Sequence, residues 1–284
     1  MFILGRLLII LYCLLWLAVY AGQRFIIFHP KELPDDFNYE FQADFKEGFL
    51  ETDDQVPINY LHFKTDTIYR GTVLYFHGNS YNLQRWGHVH QDFTSRGFDV
   101  FMIDYRAYGK SEGKISEEKM YADARMAYDF LLQKQIAPEK IVIYGRSLGA
   151  AVASQLATEV PANQLILESP FNNIRSLFLD QVIILWLPFS MSFHFRNDLN
   201  IPKVKYPVTI MHGTEDRIVP YRNAQRLTDK LQAKDRFITI ENGGHKNLSQ
   251  FGLFQQTLDR ILLPIPVIEE VIPQPEPELI PVPD

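Results

Sequence analysis

The 284-residue sequence contains one cysteine, Cys13, and has no excess of basic residues. A single cysteine excludes an intramolecular disulfide, and its position inside an N-terminal apolar run excludes it as the nucleophile of a folded domain. The net charge of −6 comes mostly from the residues after 263, which include five acidic residues and no basic one. Because the rest of the chain is close to neutral, a nucleic-acid-binding face is not expected. No motif implies a metal ion or an organic cofactor.

The N-terminal segment is the longest apolar stretch of the chain. Residues 7–21 carry no charge and lie between Arg6 and Arg24. With the apolar residues before Arg6, the stretch covers about 20 residues, which is enough for a helix to span a bilayer. We therefore predict a single-pass membrane anchor at residues 1–24, followed by a juxtamembrane lead-in at residues 25–40. The alternative is a cleavable signal peptide, which would leave a secreted or periplasmic protein.

Between residues 41 and 263, short apolar strands alternate with amphipathic helices. This alternation predicts right-handed crossovers and a mostly parallel central sheet flanked by helices, with ligands at the carboxyl ends of the strands. Only the first two strands, joined by a polar turn, are expected to be antiparallel. The proline- and glutamate-rich residues 264–284 are predicted to be disordered, because they cannot bury a core. The predicted strands are approximately 41–49, 56–63, 71–76, 99–103, 141–144, 164–168, 208–212 and 237–241, and the predicted helices are approximately 83–96, 116–135, 221–232 and 248–263.

The sequence Gly145-Arg146-Ser147-Leu148-Gly149 lies between an apolar, β-branched strand and an alanine-containing helix. A serine at a sharp turn from strand to helix holds its hydroxyl out at the edge of the sheet, and the flanking glycines avoid collisions with the neighbouring strand and helix. The strand before the motif and the helix after it favour this nucleophile elbow over an ordinary turn. Ser147 is therefore the predicted nucleophile.

A serine nucleophile needs an adjacent base, and on this scaffold the base is a histidine late in the chain. Of the histidines after Ser147, His245 is the best candidate, because it lies in a glycine-containing loop between the last strand and the last helix. His212 ends an apolar strand and is expected to serve packing. His194 lies within an apolar insertion and has no such loop around it.

The acid that orients the histidine is expected in a loop that can reach the loop of His245. Asp216 follows the predicted strand 208–212 and meets this requirement. Glu215 is the neighbouring alternative, and Asp198 is a more distant one. The negative charge that develops during acyl transfer needs two fixed N–H donors, one of which the backbone of Leu148 can supply. The second is expected after the strand at 71–76.

Together these motifs resemble the α/β-hydrolase superfamily, and more narrowly its membrane-anchored serine hydrolases, the branch that includes protein depalmitoylases and related lipid hydrolases. The resemblance implies Asn79 as the second backbone donor, with Ser80 as the alternative. It also implies that Asp104 is architectural. Depalmitoylases carry an N-terminal cysteine cluster for lipidation, whereas this chain has only Cys13. The motifs that carry the resemblance are His77-Gly78-Asn79, Asp104-Tyr105-Arg106, Gly145-x-Ser147-x-Gly149, Gly213-x-x-Asp216 and Gly243-Gly244-His245.

Residues 171–206 are where folds of this superfamily insert a cap over the site. The segment is rich in large apolar side chains, and residues 181–195 contain no acidic or basic residue other than His194. We predict that it covers an apolar acyl group, with Phe178 and Trp186 as candidate substrate-binding residues. The alternative is a cap that only buries its own apolar side chains against the domain.

The sequence thus predicts a membrane-anchored serine hydrolase with the triad Ser147, Asp216 and His245. Its expected substrates are carboxylic esters or thioesters of apolar acyl groups, and its expected partner is the lipid bilayer at the N-terminal segment. A serine peptidase or amidase that uses the same triad is the enzymatic alternative. A non-catalytic scaffold that retains the fold is the other.

Overall fold

The computed structural model describes residues 2–181 and 191–263. The predicted disordered tail at residues 264–284 lies outside the described residues. Ten strands are described, and they are β1 His29–Pro30, β2 Phe45–Glu51, β3 Pro57–Phe63, β4 Gly71–Phe76, β5 Ser80–Tyr81, β6 Phe98–Ile103, β7 Ile141–Arg146, β8 Gln164–Glu168, β9 Val208–Gly213 and β10 Arg236–Ile240. The α-helices described are α1 Phe2–Ile27, α2 Leu83–Trp86, α3 Gln91–Thr94, α4 Glu117–Gln133, α5 Leu148–Ala157, α6 Ile174–Gln181, α7 Asn197–Asn200, α8 Tyr221–Gln225 and α9 Gly252–Leu262.

Eight strands form the central sheet in the order β10-β9-β8-β7-β4-β6-β3-β2. β2 pairs antiparallel with β3, and β3 pairs antiparallel with β6, whereas all remaining neighbours are parallel. The predicted mostly parallel sheet flanked by helices is confirmed. The parallel strands end at one edge of the sheet, so the loops that follow β4, β7, β9 and β10 converge there.

The central strands are buried on both faces, which explains their continuous apolar sequences. In β4, for example, Val73 and Tyr75 belong to the apolar core on one face of the sheet, while Leu74 and Phe76 belong to the core on the other. This alternation follows from the two-residue period of a strand. The two cores hold the sheet rigidly between the flanking helices and fix where its loops end.

Three long helices predicted from the sequence are broken. The helix predicted at 248–263 is a 3₁₀ turn at Leu248–Gln250 followed by α9. The predicted helix at 83–96 consists of α2, a 3₁₀ turn at Gly87–His90 and α3. The ring of Phe41 occupies the space that a side chain at Gly87 would need, and glycine has a low helix propensity. The predicted helix at 221–232 likewise ends early and is followed by a 3₁₀ turn at Thr228–Lys230.

The N-terminal helix is longer than the predicted anchor and leads directly into the domain. α1 continues to Ile27, after which β1 pairs in parallel with β5. Ile27 and Phe28 are both buried, so the predicted lead-in is packed on the domain. Among the described residues no single helix is long and apolar enough to span a membrane. The segments Gly5–Ala18 and Tyr20–Ile27, bent by 41° relative to each other, meet the length and composition of a span only together.

Candidate functional site

Ser147 lies at the sharp turn between β7 and α5. Its backbone φ of 54° and ψ of −113° place a non-glycine residue in a sparsely populated conformation, as a nucleophile elbow requires. A side-chain carbon at Gly149 would collide with the carbonyls of Phe76 and His77, and one at Gly145 would collide with the start of α5. Close packing on both sides therefore holds the serine in its strained conformation.

His245 and Asp216 reach the serine from the loops after β10 and β9. His245 Nε2 lies 3.0 Å from Ser147 Oγ, and His245 Nδ1 lies 2.7 Å from Asp216 Oδ2. Since an ionised carboxylate only accepts hydrogen bonds, Nδ1 carries the proton and Nε2 can accept one from the serine hydroxyl. The two loops are joined by a hydrogen bond from the Glu215 amide to the Gly243 carbonyl, 2.8 Å long. This arrangement can transfer a proton from the hydroxyl to the imidazole and so activate the oxygen as a nucleophile.

The Asp216 carboxylate is buried and surrounded by donors. Its Oδ1 accepts hydrogen bonds from the amides of Ile218 (2.9 Å) and Val219 (2.7 Å), while Oδ2 accepts the bond from His245. Burial by itself raises the pKa of this carboxyl group. The hydrogen bond from His245, the two neighbouring histidines and the Val219 amide outweigh burial and lower the pKa below its usual value. The group is therefore ionised when it faces His245.

His212 lies directly behind Asp216 and is fully buried. Its Nε2–H donates to the Val219 carbonyl at 2.9 Å and lies 3.4 Å from Asp216 Oδ2. Burial lowers the pKa of His212, although the Asp216 carboxylate opposes this in part. A neutral imidazole therefore supports the turn that contains Asp216, which agrees with the packing role expected for His212.

The rival acids and the remaining histidine candidate lie elsewhere. The side chain of Glu215 is exposed, and Asp198 forms an ion pair with Arg196 at 2.8 Å. His194 is exposed in the cap region, where its amide donates to Glu117. The structure thus brings Ser147, His245 and Asp216 together, whereas Glu215 and Asp198 do not contact His245. The catalytic roles of Ser147, His245 and Asp216 stay predictions.

The two predicted backbone donors lie beside the serine. Leu148 is the first residue of α5, where first-turn amides have no partner within the helix. Asn79 follows β4 and lines the same cavity as Ser147 and Leu148. The Asn79 carbonyl accepts hydrogen bonds from Tyr108 Oη (2.7 Å) and from the amide of His29 (2.9 Å), which hold the backbone at this position. Tyr108 and the residue that follows α1 by two positions, His29, therefore hold the backbone of the predicted oxyanion site in place.

A buried histidine–aspartate pair supports the loop that contains Asn79. His77 Nδ1 donates to the Gly78 carbonyl at 2.7 Å, and His77 Nε2 lies 3.2 Å from Asp104 Oδ1. The other oxygen of Asp104 accepts from the Leu83 amide. Burial raises the pKa of Asp104, and His77 opposes this only in part. These contacts join the loop of Asn79 to the loop that follows β6 and to the start of α2.

Two cavities meet at Ser147, Asn79 and Ile218. One has a volume of about 310 Å³ and an apolar lining that includes Phe178, and it is closed on one side by residues of α1. None of the described residues that line this cavity is charged. The other, called the polar cavity below, has a volume of about 470 Å³ and a lining that includes several charged and polar side chains. Trp186, the second candidate substrate-binding residue, lies outside the described residues. The lining of the apolar cavity is Ile26, Ile27, Asn79, Ser147, Leu148, Phe171, Ile174, Leu177, Phe178, Gln181, Ile218 and Val219, and the polar cavity includes Tyr81, Arg85, His88, Asp92, Arg146, His245, Lys246 and Ser249.

Sequence reasoning missed a buried ion pair beside the elbow. Arg146 Nε lies 3.3 Å from Glu168 Oε1, and Arg146 Nη2 donates to the His245 carbonyl at 2.9 Å. Tyr144 Oη donates to the other oxygen of Glu168 at 2.7 Å. The available signal was a charged residue at the end of each of two adjacent, otherwise apolar strands. The pair connects the loop of His245 to the sheet.

Comparisons with known proteins give three kinds of match. The family described as serine aminopeptidase, S33, matches residues 67–200. The α/β-hydrolase domain-containing protein 17B of Homo sapiens is 30% identical over 194 residues, 67% of this chain and 66% of that protein. The lysophosphatidylserine lipase ABHD12 of Danio rerio is 34% identical over 201 residues, 61% of this chain and 49% of that protein. The structure of the Pyrococcus furiosus esterase Pf2001 superposes with a TM-score of 0.64 and 20% identity over 83% of this chain and 96% of that one.

Proposed function

Because this chain belongs to the α/β-hydrolase superfamily, we propose that it is a serine hydrolase of esterase or lipase type, which cleaves esters or thioesters of apolar acyl groups. The observation that carries the proposal is the hydrogen-bonded series Ser147–His245–Asp216 at the mouth of an apolar cavity. A hydroxyl, an imidazole and a carboxylate in this order form the constellation that activates serine. The apolar cavity beside it supports an acyl group as the part of the substrate that is recognised.

In the proposed mechanism, His245 Nε2 takes the proton of Ser147 Oγ while that oxygen attacks the carbonyl carbon of the substrate. The amides of Asn79 and Leu148 donate to the resulting oxyanion. His245 then gives its proton to the leaving oxygen or sulfur, which leaves an acyl-Ser147 ester. A water molecule, deprotonated by His245, attacks the acyl carbon, and His245 then returns the proton to Ser147 Oγ as the acyl–oxygen bond breaks and the carboxylic acid is released. Asp216 keeps the imidazole in the required tautomer and stabilises its cationic form.

We assign the two ends of the proposed substrate to the two cavities. The acyl chain occupies the apolar cavity, where each buried methylene contributes about 0.8 kcal/mol. The leaving group then lies in the polar cavity, whose lining includes Arg85 and Lys246 as exposed cations. This division supports a substrate with one apolar and one polar end. The name of the relative ABHD12, a lysophosphatidylserine lipase, agrees with such a substrate.

A peptidase or amidase is the second candidate, because the matching family is described as serine aminopeptidase. An aminopeptidase must bind the positive N-terminus of its substrate, usually with a carboxylate. Among the described residues of the two cavities, the only carboxylate in the lining is Asp92, whose Oδ1 accepts from Gln255. The site therefore favours the ester reading. Parallel assays with an aminoacyl nitroanilide and a decanoyl nitrophenyl ester separate the two, and faster amide cleavage would reverse our preference.

We also propose that α1 holds the enzyme on a membrane. In α1, the bent segments Gly5–Ala18 and Tyr20–Ile27 together meet the length and composition needed to cross a hydrocarbon core of about 30 Å. Leu7, Ile10, Leu11 and Leu14 are among its exposed apolar side chains. A lysine near the centre of a span costs about 3 kcal/mol. Leu14→Lys should therefore lower the share of full-length protein in the carbonate-washed membrane fraction, whereas Leu14→Phe should not, and equal shares would contradict the anchor.

A fluorophosphonate probe tests the proposed nucleophile. The full-length protein in detergent should be labelled, and Ser147→Ala should abolish both labelling and hydrolysis of a nitrophenyl ester. Ser154→Ala is the matched control, since Ser154 is buried in the same helix α5. Labelling that survives Ser147→Ala, or a wild-type chain that is never labelled, would refute the proposal. The non-catalytic alternative predicts the second of these results.

A further inference from the structure

We infer that residues 26–29, where α1 enters the domain, are part of the active site. They form one wall of the acyl cavity and fix the backbone donor at Asn79. This inference rests on the proposed function, because it assigns roles within that site. It makes the membrane segment a determinant of acyl-chain selectivity and of turnover, in addition to an anchor.

The first observation is the wall of the cavity. Ile26 and Ile27, the last residues of α1, line the apolar cavity together with Ser147. Ile27 is buried, whereas Ile26 is 47% exposed and belongs to the same helix as the exposed apolar side chains described above. The cavity wall and the surface of α1 are therefore parts of one helix.

The second observation is a set of hydrogen bonds between this segment and Asn79. The side-chain amide of Asn79 donates to the Ile27 carbonyl at 2.8 Å, and the amide of His29 donates to the Asn79 carbonyl at 2.9 Å. β1 then continues the contact, with His29 opposite Ser80 and Pro30 opposite Tyr81. The side chain and the backbone carbonyl of Asn79 are thus both hydrogen-bonded to the residues at and just after the end of α1. An oxyanion donor acts only if its position is fixed before the reaction, so these bonds make the segment a positioning element.

The same segment also contacts the cap region. The ring of Phe28 packs edge-on against Phe193, with ring centres 4.9 Å apart, and Gln23 Oε1 accepts from the Ser192 amide at 2.8 Å. The end of α1 therefore lies between the cap region and the loop of Asn79. A change in how α1 sits can reach both the acyl cavity and the oxyanion site.

The acyl wall is tested with full-length variants in detergent and a series of nitrophenyl esters from acetyl to palmitoyl. Ile27→Trp should lower the ratio of kcat/KM for decanoyl over acetyl ester about tenfold, roughly the contribution of two buried methylene groups. Ile27→Ala should raise the ratio for the longest esters. Phe25→Trp is the matched control, because Phe25 lies on the same helix, is 79% exposed and does not line the cavity. An unchanged chain-length profile in folded Ile27→Ala would overturn the assignment of the wall.

The positioning role is tested with Asn79→Ala. This variant keeps the backbone amide but loses the bond to the Ile27 carbonyl, so kcat should fall about tenfold with little change in KM. Asn82→Ala is the matched control, because the Asn82 side chain donates to the Lys31 carbonyl at 2.8 Å, just after this segment, but lines neither cavity. It should lower the melting temperature similarly and leave kcat within about twofold. Equal kcat values in the two variants would overturn the positioning role.

The failures of the two proposals can be told apart. If the wild type is labelled at Ser147 and hydrolyses esters, but neither Ile27 variant shifts chain-length selectivity and Asn79→Ala turns over normally, the inference is refuted and the proposed function stands. If the wild type is neither labelled nor active on esters, both are refuted.

Discussion

The ion pair between Arg146 and Glu168 allows folding and turnover to be separated by mutation. The two side chains are 11% and 4% exposed, and their charged atoms lie 3.3 Å apart. Arg146 also donates to the carbonyl of His245 and lies over the ring of Trp86. Glu168→Gln removes one charge while keeping an acceptor for the Tyr144 hydroxyl. The variant therefore leaves a buried guanidinium without its counter-ion and changes little else.

The expected loss of stability follows from this geometry. At an effective dielectric constant of about 20, unit charges at that separation attract by roughly 5 kcal/mol. Removing one partner of a buried pair costs about 3–5 kcal/mol, whereas replacing both partners is often nearly neutral. Glu168→Gln should thus lose a large share of a typical domain stability of about 5–15 kcal/mol. The double variant Arg146→Met with Glu168→Gln should recover most of that loss.

Turnover should respond differently, because only Arg146 contacts the loop of His245. The double variant should unfold in urea close to the wild type, yet its kcat on a nitrophenyl ester should remain at least about tenfold lower, with KM nearly unchanged. Urea titrations at fixed pH give the first quantity, and steady-state kinetics on the same samples give the second. If the double variant regains kcat along with stability, Arg146 does not position His245. If Glu168→Gln alone is as stable as the wild type, the pair is not the buried contact that its geometry indicates.

Three further predictions concern groups around the site. Burial lowers the pKa of His212, so below about pH 6.5 the unfolded chain binds more protons than the folded one. The free energy of unfolding should therefore decrease as the pH is lowered, by up to about 1.4 kcal/mol per pH unit. His212→Gln should flatten this slope in urea titrations between pH 5 and 7, and an unchanged slope would contradict the prediction. Gly149→Ala should prevent accumulation of folded protein, measured by circular dichroism of the purified chain, because the added methyl group collides with backbone atoms. Gly22→Ala, which has no atom within 4 Å of the added carbon, should be tolerated. A folded Gly149→Ala variant would show that the elbow can relax. Phe178→Ala should lower the ratio of kcat/KM for decanoyl ester over acetyl ester about tenfold, roughly the loss of two methylene contacts. Leu179→Ala, on the same helix but outside the cavity lining, should leave this ratio unchanged. Equal effects of the two variants would argue against Phe178 as an acyl contact.

The sheet could be predicted because its central strands are buried on both faces. β4 and β8 begin and end at the predicted residues, since each is a continuous apolar run bounded by turn-forming or polar residues. Ser147, Asp216 and His245 could be selected because each lies in the turn or loop that follows a recognisable strand. A position at the end of a parallel strand determines which edge of the sheet a side chain reaches, even when the distances are unknown.

Features that depend on main-chain atoms could not be predicted in the same way. Of the four groups that join Ile27 and His29 to Asn79, two are backbone carbonyls and one is a backbone amide, which carry no residue-type signal; only the side-chain amide of Asn79 does. The predicted boundary after residue 24 followed the end of the apolar run, whereas the structure continues α1 to Ile27 and then pairs β1 with β5. The break at Gly87 depends on a contact with the distant Phe41, which local helix propensity does not contain.

The pairing of β1 with β5 has a practical consequence for producing the protein without its membrane segment. A truncated variant that starts at Phe28 would retain the strands of the central sheet but lose the carbonyl that Asn79 binds and the wall residues Ile26 and Ile27. From the proposed role of residues 26–29, we expect such a variant to hydrolyse esters slowly even when it is folded, and this low activity could be mistaken for a missing substrate. A cut before Gln23 keeps every contact described here. A variant without the membrane segment should therefore begin inside α1, about one turn before the helix ends at Ile27.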